Sequence, residues 1–220
     1  VIRYQLFTRN LFERRDSPLL PEVWRTLIEQ YPVLKGRLAY YGGDWLMWAG
    51  RVSNWVWSLL AAVVALYGVG SLAARNYILG KLGRPEKTPS FVDRVTKASW
   101  IAPMIMLAPA LSVLLLYFGL AELDLIFAPW LGLASATLTG LLVYSAASAL
   151  LAVSFAPSYP GWRLVPVADK TARTVLLILE AFIAVYVLDI ILVEVGRAIY
   201  APLRVTIIQS FLSSAVFATL

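Results

Sequence analysis

The chain has 220 residues, of which 60% are hydrophobic and 15% are charged, with a net charge of +6. Soluble domains are about half apolar and about a quarter charged, so this composition excludes an ordinary soluble domain and indicates a membrane protein. The chain has no cysteine and no histidine, which removes thiolate metal sites and the most common catalytic base. We therefore expect no catalytic residues, no metal, no cofactor and no enzymatic activity.

Residues 1–52 predict an amphipathic helical lead-in to the membrane region. Apolar residues recur at helical spacing in two places, namely Tyr4, Phe7 and Leu11, then Trp24, Leu27, Ile28 and Tyr31. Pro21 suits the first turn of the second helix. The two apolar stripes either pack against the rest of the protein or lie in the bilayer interface.

The segment before the first membrane span predicts a boundary. Gly42 and Gly43 predict a turn, and Asp44 is a candidate N-cap for the helix that follows. Four tryptophans lie between residues 45 and 57, and indole side chains prefer the boundary between water and hydrocarbon. We expect them to anchor the first span at the outer face of the bilayer.

Five apolar segments predict membrane spans. Nothing ionisable lies between Arg51 and Arg75, between Lys97 and Glu122, or between Asp124 and Arg163. Each gap provides the roughly 20 residues that a helix needs to cross about 30 Å of hydrocarbon. A fourth segment contains acids and a fifth is still apolar at its last residue, so we expect a piece of a longer polypeptide. The predicted fold is an all-α polytopic membrane protein with spans at 53–74, 99–121, 129–156, 170–199 and 203–220.

The second span has a predicted start and two predicted irregularities. Ser90 is a candidate N-cap, and Asp93 is placed to complete a capping box. Pro103 and Pro109 each remove a backbone donor and are expected to kink the helix. Such a kink is either a hinge or an accommodation to packing.

The third span carries small residues at four-residue intervals, Gly132, Ala136 and Gly140. Small side chains in register let the backbones of membrane helices approach closely. The pattern therefore predicts a neighbouring helix along this face.

Residues 156–173, "APSYPGWRLVPVADKTAR", predict an elbow at the membrane boundary. Pro157, Pro160 and Gly161 end the third span, and Asp169 is a candidate N-cap for the fourth. An indole, a rigid backbone and cations together suit contact with anionic lipid headgroups, although a plain turn explains the same residues. The predicted lipid-contacting residues are Trp162, Arg163, Lys170 and Arg173.

Glu180 and Asp189 lie inside the fourth apolar segment. Nine residues correspond to half a helical turn beyond two full turns, so the two carboxylates point to opposite faces. Intramembrane acids pair with a cation, face a cavity or relay protons. We expect Glu180 within reach of Arg173, and Asp189 within reach of Arg197 or Arg204.

The loop charges predict an orientation. Residues 73–98 hold six cations and two acids, and residues 155–175 hold three cations and one acid. The positive-inside rule places both segments in the cytoplasm and residues 1–52 outside. The scattered cations form no stripe of the kind that binds nucleic acid. We therefore expect a multi-pass protein of the bacterial inner membrane with a periplasmic N-terminus.

The segments "LFTRNLFERRDSPLLPEVW" and "APSYPGWRLVPVADKTAR" resemble the N-terminal region of long bacterial small-conductance mechanosensitive (MscS-type) channels. The resemblance implies a homo-oligomer, usually heptameric, that membrane tension opens, with peripheral helices that couple lipid to the gate. A glycine- and alanine-rich pore helix and a soluble vestibule are not found here. The resemblance thus implies a sensor region, with membrane lipids as partners and no small-molecule substrate.

Two other classes stay open. A proton- or ion-coupled secondary transporter would use Glu180 or Asp189, although no inverted repeat is evident. A lipid-modifying enzyme is the weaker alternative, because the sequence has no histidine, no cysteine and no clustered carboxylate motif.

Overall fold

The computed structural model describes residues 21–81, 89–128, 130–156 and 158–219, and the regular elements in those ranges are all helical. The α-helices of the described residues are α1 (Pro21–Ala49), α2 (Asn54–Ala65), α3 (Ser71–Gly80), α4 (Phe91–Glu122), α5 (Trp130–Phe155), α6 (Asp169–Ala198) and α7 (Leu203–Thr219). A π-helix, Leu66–Gly70, joins α2 to α3, and a 3₁₀ turn, Pro160–Trp162, lies between α5 and α6. The predicted helix that carries Tyr4, Phe7 and Leu11 lies outside the described residues, as do Pro129 and Pro157.

Within the part of the chain that the structure describes, four helical stretches are long and apolar enough to cross a membrane: Asn54–Gly80, Phe91–Glu122, Trp130–Phe155 and Asp169–Ala198. α7 is also apolar but has only 17 described residues. The chain is therefore a helical, multi-pass membrane protein, as its composition predicts.

The N-terminus of α4 confirms the predicted capping box. The Asp93 backbone N–H donates to Ser90 Oγ at 3.2 Å, and the Ser90 backbone N–H donates to Asp93 Oδ2 at 3.1 Å. Two N–H groups that have no partner within the helix are thereby satisfied. α4 then continues without a break through both Pro103 and Pro109, and a kink at these residues stays a prediction.

α5 lies between α4 and α6 and packs most extensively against α6. A Cβ atom added to Gly140 would lie 2.7 Å from Val187 Cγ1, and one added to Gly132 would lie 3.1 Å from Glu194 Oε2. Ala136, between the two glycines, is half-buried. The neighbouring helix that the small residues of α5 predict is therefore α6.

α1 differs from its prediction. It runs as one helix through Pro32, Gly42 and Gly43 to Ala49, so the predicted turn and the N-cap role of Asp44 are wrong. Ser53 occupies the N-cap position of α2. A glycine in a helix costs only about 1 kcal/mol relative to alanine. α1 makes tertiary hydrogen bonds on both sides of the glycine pair, at Arg37 and at Trp45, which favour a continuous helix.

α4 and α6 end in the same motif at the same end of the bundle. Asp124 (φ 55°) and Tyr200 (φ 52°) adopt the left-handed conformation just after the two helices. The N–H of Leu125 then donates to Leu120 O at 3.0 Å, and the N–H of Ala201 donates to Gly196 O at 2.8 Å. These six-to-one bonds define two Schellman motifs, although neither has the usual glycine at its left-handed position.

Candidate functional sites

α1 bonds to both Schellman motifs. The indole Nε1 of Trp45 donates to Leu125 O at 3.2 Å, and Arg37 donates to Tyr200 O at 2.8 Å and Ile199 O at 3.2 Å. These carbonyls follow the last turns of α4 and α6, where a helix leaves acceptors without partners and carries partial negative charge. The two donors are eight residues apart, so α1 connects two helix ends about 12 Å apart along its axis.

Much of the apolar surface of α1 is uncovered. Trp24 and Leu27 are half-buried, but Ile28 is 73% exposed and Tyr31 is 62% exposed. Half of the apolar stripe predicted from the sequence, Trp24 and Leu27, therefore packs within the protein. The other half, Ile28 and Tyr31, is uncovered. An uncovered apolar face on a helix at one end of a membrane bundle suits the bilayer interface.

The tryptophans near the start of α2 tie α1 to the membrane region. Trp45 packs edge-on against Trp57, with ring centroids 6.0 Å apart, and Trp57 Nε1 donates to Ala49 O at 3.3 Å. Trp48 packs on Phe127 at 5.9 Å. Three of the four predicted anchors thus make contacts within the protein, and Trp55 is exposed.

An apolar cavity of about 470 Å³ separates part of α1 from the bundle. Its lining includes Gly42 and Leu46 from α1, Leu116 from α4, and Leu133 and Leu138 from α5. Polar and aromatic contacts therefore hold α1 against the bundle, and this cavity lies beside them.

Glu180 accepts two hydrogen bonds between the membrane spans. Arg75 from α3 and Ser148 from α5 each donate to its Oε1 atom at 2.9 Å. Both partners of the ion pair are mostly buried, with side-chain exposures of 20% for Arg75 and 16% for Glu180. The prediction that Glu180 pairs with Arg173 is wrong, because the first membrane stretch brings Arg75 against α6.

A partly polar cavity of about 230 Å³ adjoins this ion pair, and two helix irregularities flank it. Tyr67 and Gly68 of the π-helix line one side, and Pro109 of α4 lines another. Pro109 has no N–H, so it cannot satisfy the carbonyl of Ile105, which also lines the cavity. Pro109 is buried whereas Pro103 is exposed, so the two prolines of α4 occupy different environments.

Asp189 contacts a different helix. Ser213 and Gln209 of α7 donate to its Oδ1 atom at 2.5 Å and 3.3 Å, respectively. The expected arginine partners are wrong, since Arg197 pairs with Glu194 and Arg204 donates to Thr26 at 3.0 Å. Glu180 and Asp189 thus face different helices, as their spacing predicts, and they form no common site.

Arg163 lies inside the elbow and is not displayed on its surface. Its side chain is 4% exposed, and Nε donates to Phe155 O at 2.8 Å. Its other nitrogens bind Val167 O and Asp169, the latter at 2.8 Å. Arg94 of α4 donates to Arg163 O at 2.9 Å. Because the guanidinium is buried among these acceptors, Arg163 organises the elbow, and the expectation that it contacts lipid is wrong.

The other elbow residues are placed differently. Lys170 and Arg173 are exposed on the first turns of α6, and the ring of Trp162 lies under the ammonium of Lys97, 3.6 Å from centroid to Nζ. Ala168 is the N-cap of α6, and Asp169 is its first residue, which corrects the predicted cap by one position. Lipid contact by Trp162, Lys170 and Arg173 stays a prediction.

Sequence reasoning missed Arg37, Arg75 and Trp45 as partners. Arg75 donates to a residue 105 positions away, and Arg37 to carbonyls more than 160 positions away. A single sequence carries no signal for such pairs. The available hint is that Arg75 interrupts an otherwise apolar helix, and a membrane-embedded cation needs an acidic partner.

A family described as "Protein of unknown function (DUF3772)" matches residues 2–44 of the chain. The matched segment includes most of α1, with Arg37, and stops one residue before Trp45. No curated protein and no solved structure matches the chain.

Proposed function

We propose that these residues form the sensor region of a tension-gated, MscS-type mechanosensitive channel, whose pore lies outside them. The observation that supports this function best is the position of α1. It is bonded to the C-terminal ends of both α4 and α6, and it carries exposed apolar side chains at that end of the bundle.

Bilayer tension shifts an equilibrium toward whichever state occupies more membrane area, in the same way that a ligand favours the state it binds better. A helix that lies in the interface and is fixed at Trp45 and Arg37 transmits lateral displacement to α4 and α6. The apolar cavity beneath α1 leaves room for that displacement.

The proposed placement is the bacterial inner membrane with α1 on the periplasmic side. The described parts of the two cation-rich segments, 73–98 and 155–175, lie at the end of the bundle opposite α1. The positive-inside rule places such segments in the cytoplasm. Assembly of several copies around a common pore, a heptamer by the family resemblance, belongs to the same proposal.

Patch recordings on the full-length protein in liposomes test this function. The double variant Arg37→Met, Trp45→Phe removes the donors of α1 and retains its bulk, and we expect half-maximal opening to need a higher tension. Arg25→Met is the matched control, because Arg25 lies on α1 and pairs with Glu29 in an exposed position, where ion pairs contribute little. Absence of tension-activated current, or identical tension curves for all three proteins, would refute the proposal.

A secondary transporter that uses Glu180 is the alternative function. The cavity of about 230 Å³ beside Glu180 favours it, whereas the ion pair with Arg75 already occupies the Glu180 carboxylate. Proteoliposomes loaded with a pH-sensitive dye separate the two functions. A proton flux in the native protein that Glu180→Gln abolishes would support transport, and a flux that is absent or unchanged would reject it.

A further inference from the structure

A groove of about 450 Å³ lies between α3 and the first turns of α4, at the end of the bundle opposite α1. Side chains from two membrane spans line it, and among the described lining residues none is acidic. They are Tyr77, Ile78, Lys81, Thr96, Lys97, Trp100, Ile101 and Met104.

The groove is cationic at one end and apolar along its length. Lys81 follows the last residue of α3, and Lys97 lies in the second turn of α4. Ile101 and Met104 continue the same wall toward the middle of α4. Seven residues separate Lys97 from Met104, which corresponds to about 10 Å along the helix axis. The groove therefore has the polarity and depth of a headgroup joined to the upper part of an acyl chain.

Both ammonium groups are held over aromatic rings. Lys97 Nζ lies 3.6 Å from the ring centroid of Trp162, and Lys81 Nζ lies 4.7 Å from that of Tyr77. Neither lysine forms an ion pair with a described residue. A cation–π contact orients a lysine without neutralising its charge, so both charges stay available to an anion.

The nearest acid along α4, Asp93, interacts electrostatically with Lys97 but forms no ion pair with it, because its carboxylate is hydrogen-bonded to Ser90. Asp93 lies one turn before Lys97, and its Oδ2 atom accepts hydrogen bonds from both the backbone N–H and the hydroxyl of Ser90. Trp100, on the groove wall, is 70% exposed, and exposed indoles of membrane helices sit at the headgroup level. This placement puts Lys81 and Lys97 at the depth of lipid phosphates.

We propose that this groove is a binding site for one anionic glycerophospholipid. The phosphate lies between Lys81 and Lys97, and an acyl chain lies along Ile101 and Met104. Basic pockets between membrane helices bind anionic headgroups in this way. The site differs from the exposed elbow cations Lys170 and Arg173, and it does not depend on whether the protein gates a channel.

Native mass spectrometry of the full-length protein in detergent tests the site, with phosphatidylglycerol as the probe and phosphatidylcholine as the neutral comparison. The variant Lys81→Gln, Lys97→Gln removes both charges. We expect it to bind phosphatidylglycerol about 10- to 30-fold more weakly, since each cation near a membrane surface contributes about a factor of five. The control Arg25→Gln, Lys35→Gln makes the same charge change at two exposed cations of α1, far from the groove, and should lose less than about twofold.

A second variant tests the apolar half of the groove. Met104→Trp fills the groove with both lysines in place, and we expect weaker binding of phosphatidylglycerol without a change in charge. It also gives an answer if the double-lysine variant does not fold. Equal losses in the two charge variants, no loss in either groove variant, or binding of glycerol phosphate as tight as that of the lipid would overturn the proposal.

Discussion

The α5–α6 pair and the first membrane stretch, Asn54–Gly80, bury side chains of different size and number. The buried residues of α5 are mostly small: Gly140, Ser145, Ala149, Ala152 and Val153. In the first stretch only Leu60 and Leu79 are buried, and large apolar residues such as Leu59 and Val69 are exposed. Small residues let backbones approach closely, whereas large ones leave a surface for lipid or another helix. The bundle thus consists of a tightly packed pair and a first span attached at fewer points.

The elbow of the tight pair should give the largest effect. Replacing Arg163 by Met leaves the carbonyls of Phe155 and Val167 without their donor in a buried position. We expect the free energy of unfolding to fall by about 3 kcal/mol, measured by titration of mixed micelles with denaturing detergent. Arg173→Met, at an exposed site, should change it by less than about 0.5 kcal/mol. Equal effects of the two substitutions would contradict a structural role for Arg163.

The ion pair between the two regions should give the next largest effect. Arg75→Leu or Glu180→Leu alone leaves an unpaired charge between the spans, and each should cost about 2 to 3 kcal/mol. The double variant should cost less than the sum, with a coupling of about 1 to 2 kcal/mol. The same unfolding titration on all four proteins provides the cycle, and strict additivity would show that the pair does not join α3 to α6.

The glycine contacts should give the smallest effect. Gly140→Ala places a methyl group 2.7 Å from Val187 Cγ1, so we expect a loss of about 1 to 2 kcal/mol that Val187→Ala partly restores. Gly68→Ala, in the first stretch, meets nothing within 4 Å and should be neutral or slightly stabilising. A destabilised Gly68→Ala together with a neutral Gly140→Ala would contradict the conclusion that α5 and α6 pack more tightly than the first stretch.

Local signals predicted the elements well. The charge-free runs located the membrane helices, and the pair Ser90 and Asp93 located the start of α4, because length, hydropathy and capping are decided by residues close in sequence. The spacing of Gly132 and Gly140 predicted close packing without naming α6. Local glycine propensity failed at Gly42 and Gly43, where distant contacts decide the conformation.

The candidate sites were predicted less completely, because each depends on pairs that are remote in sequence. The sequence predicts that Glu180 is an acid within a membrane span, but its partner Arg75 comes from the first span, three spans earlier. The indole, the prolines and the cations of the elbow predict lipid contact for Arg163, whereas the fold turns its side chain inward to bind the chain itself. A charged residue in an apolar or proline-rich segment predicts that a polar site exists there. The partners of that residue follow only from the fold.

The π-helix at Leu66–Gly70 sets the rotational phase of the first membrane stretch. An α-helix turns by about 100° per residue, and a π-helix accommodates one additional residue in its widened turn. Before this turn, Leu60 packs 3.4 Å from the Cβ position of Gly119, and after it, Arg75 reaches Glu180. Deleting one residue from the turn would rotate one half of the stretch against the other by about 100°. The additional residue therefore lets one continuous helical stretch make both contacts. A stretch shortened by one residue would lose one of them.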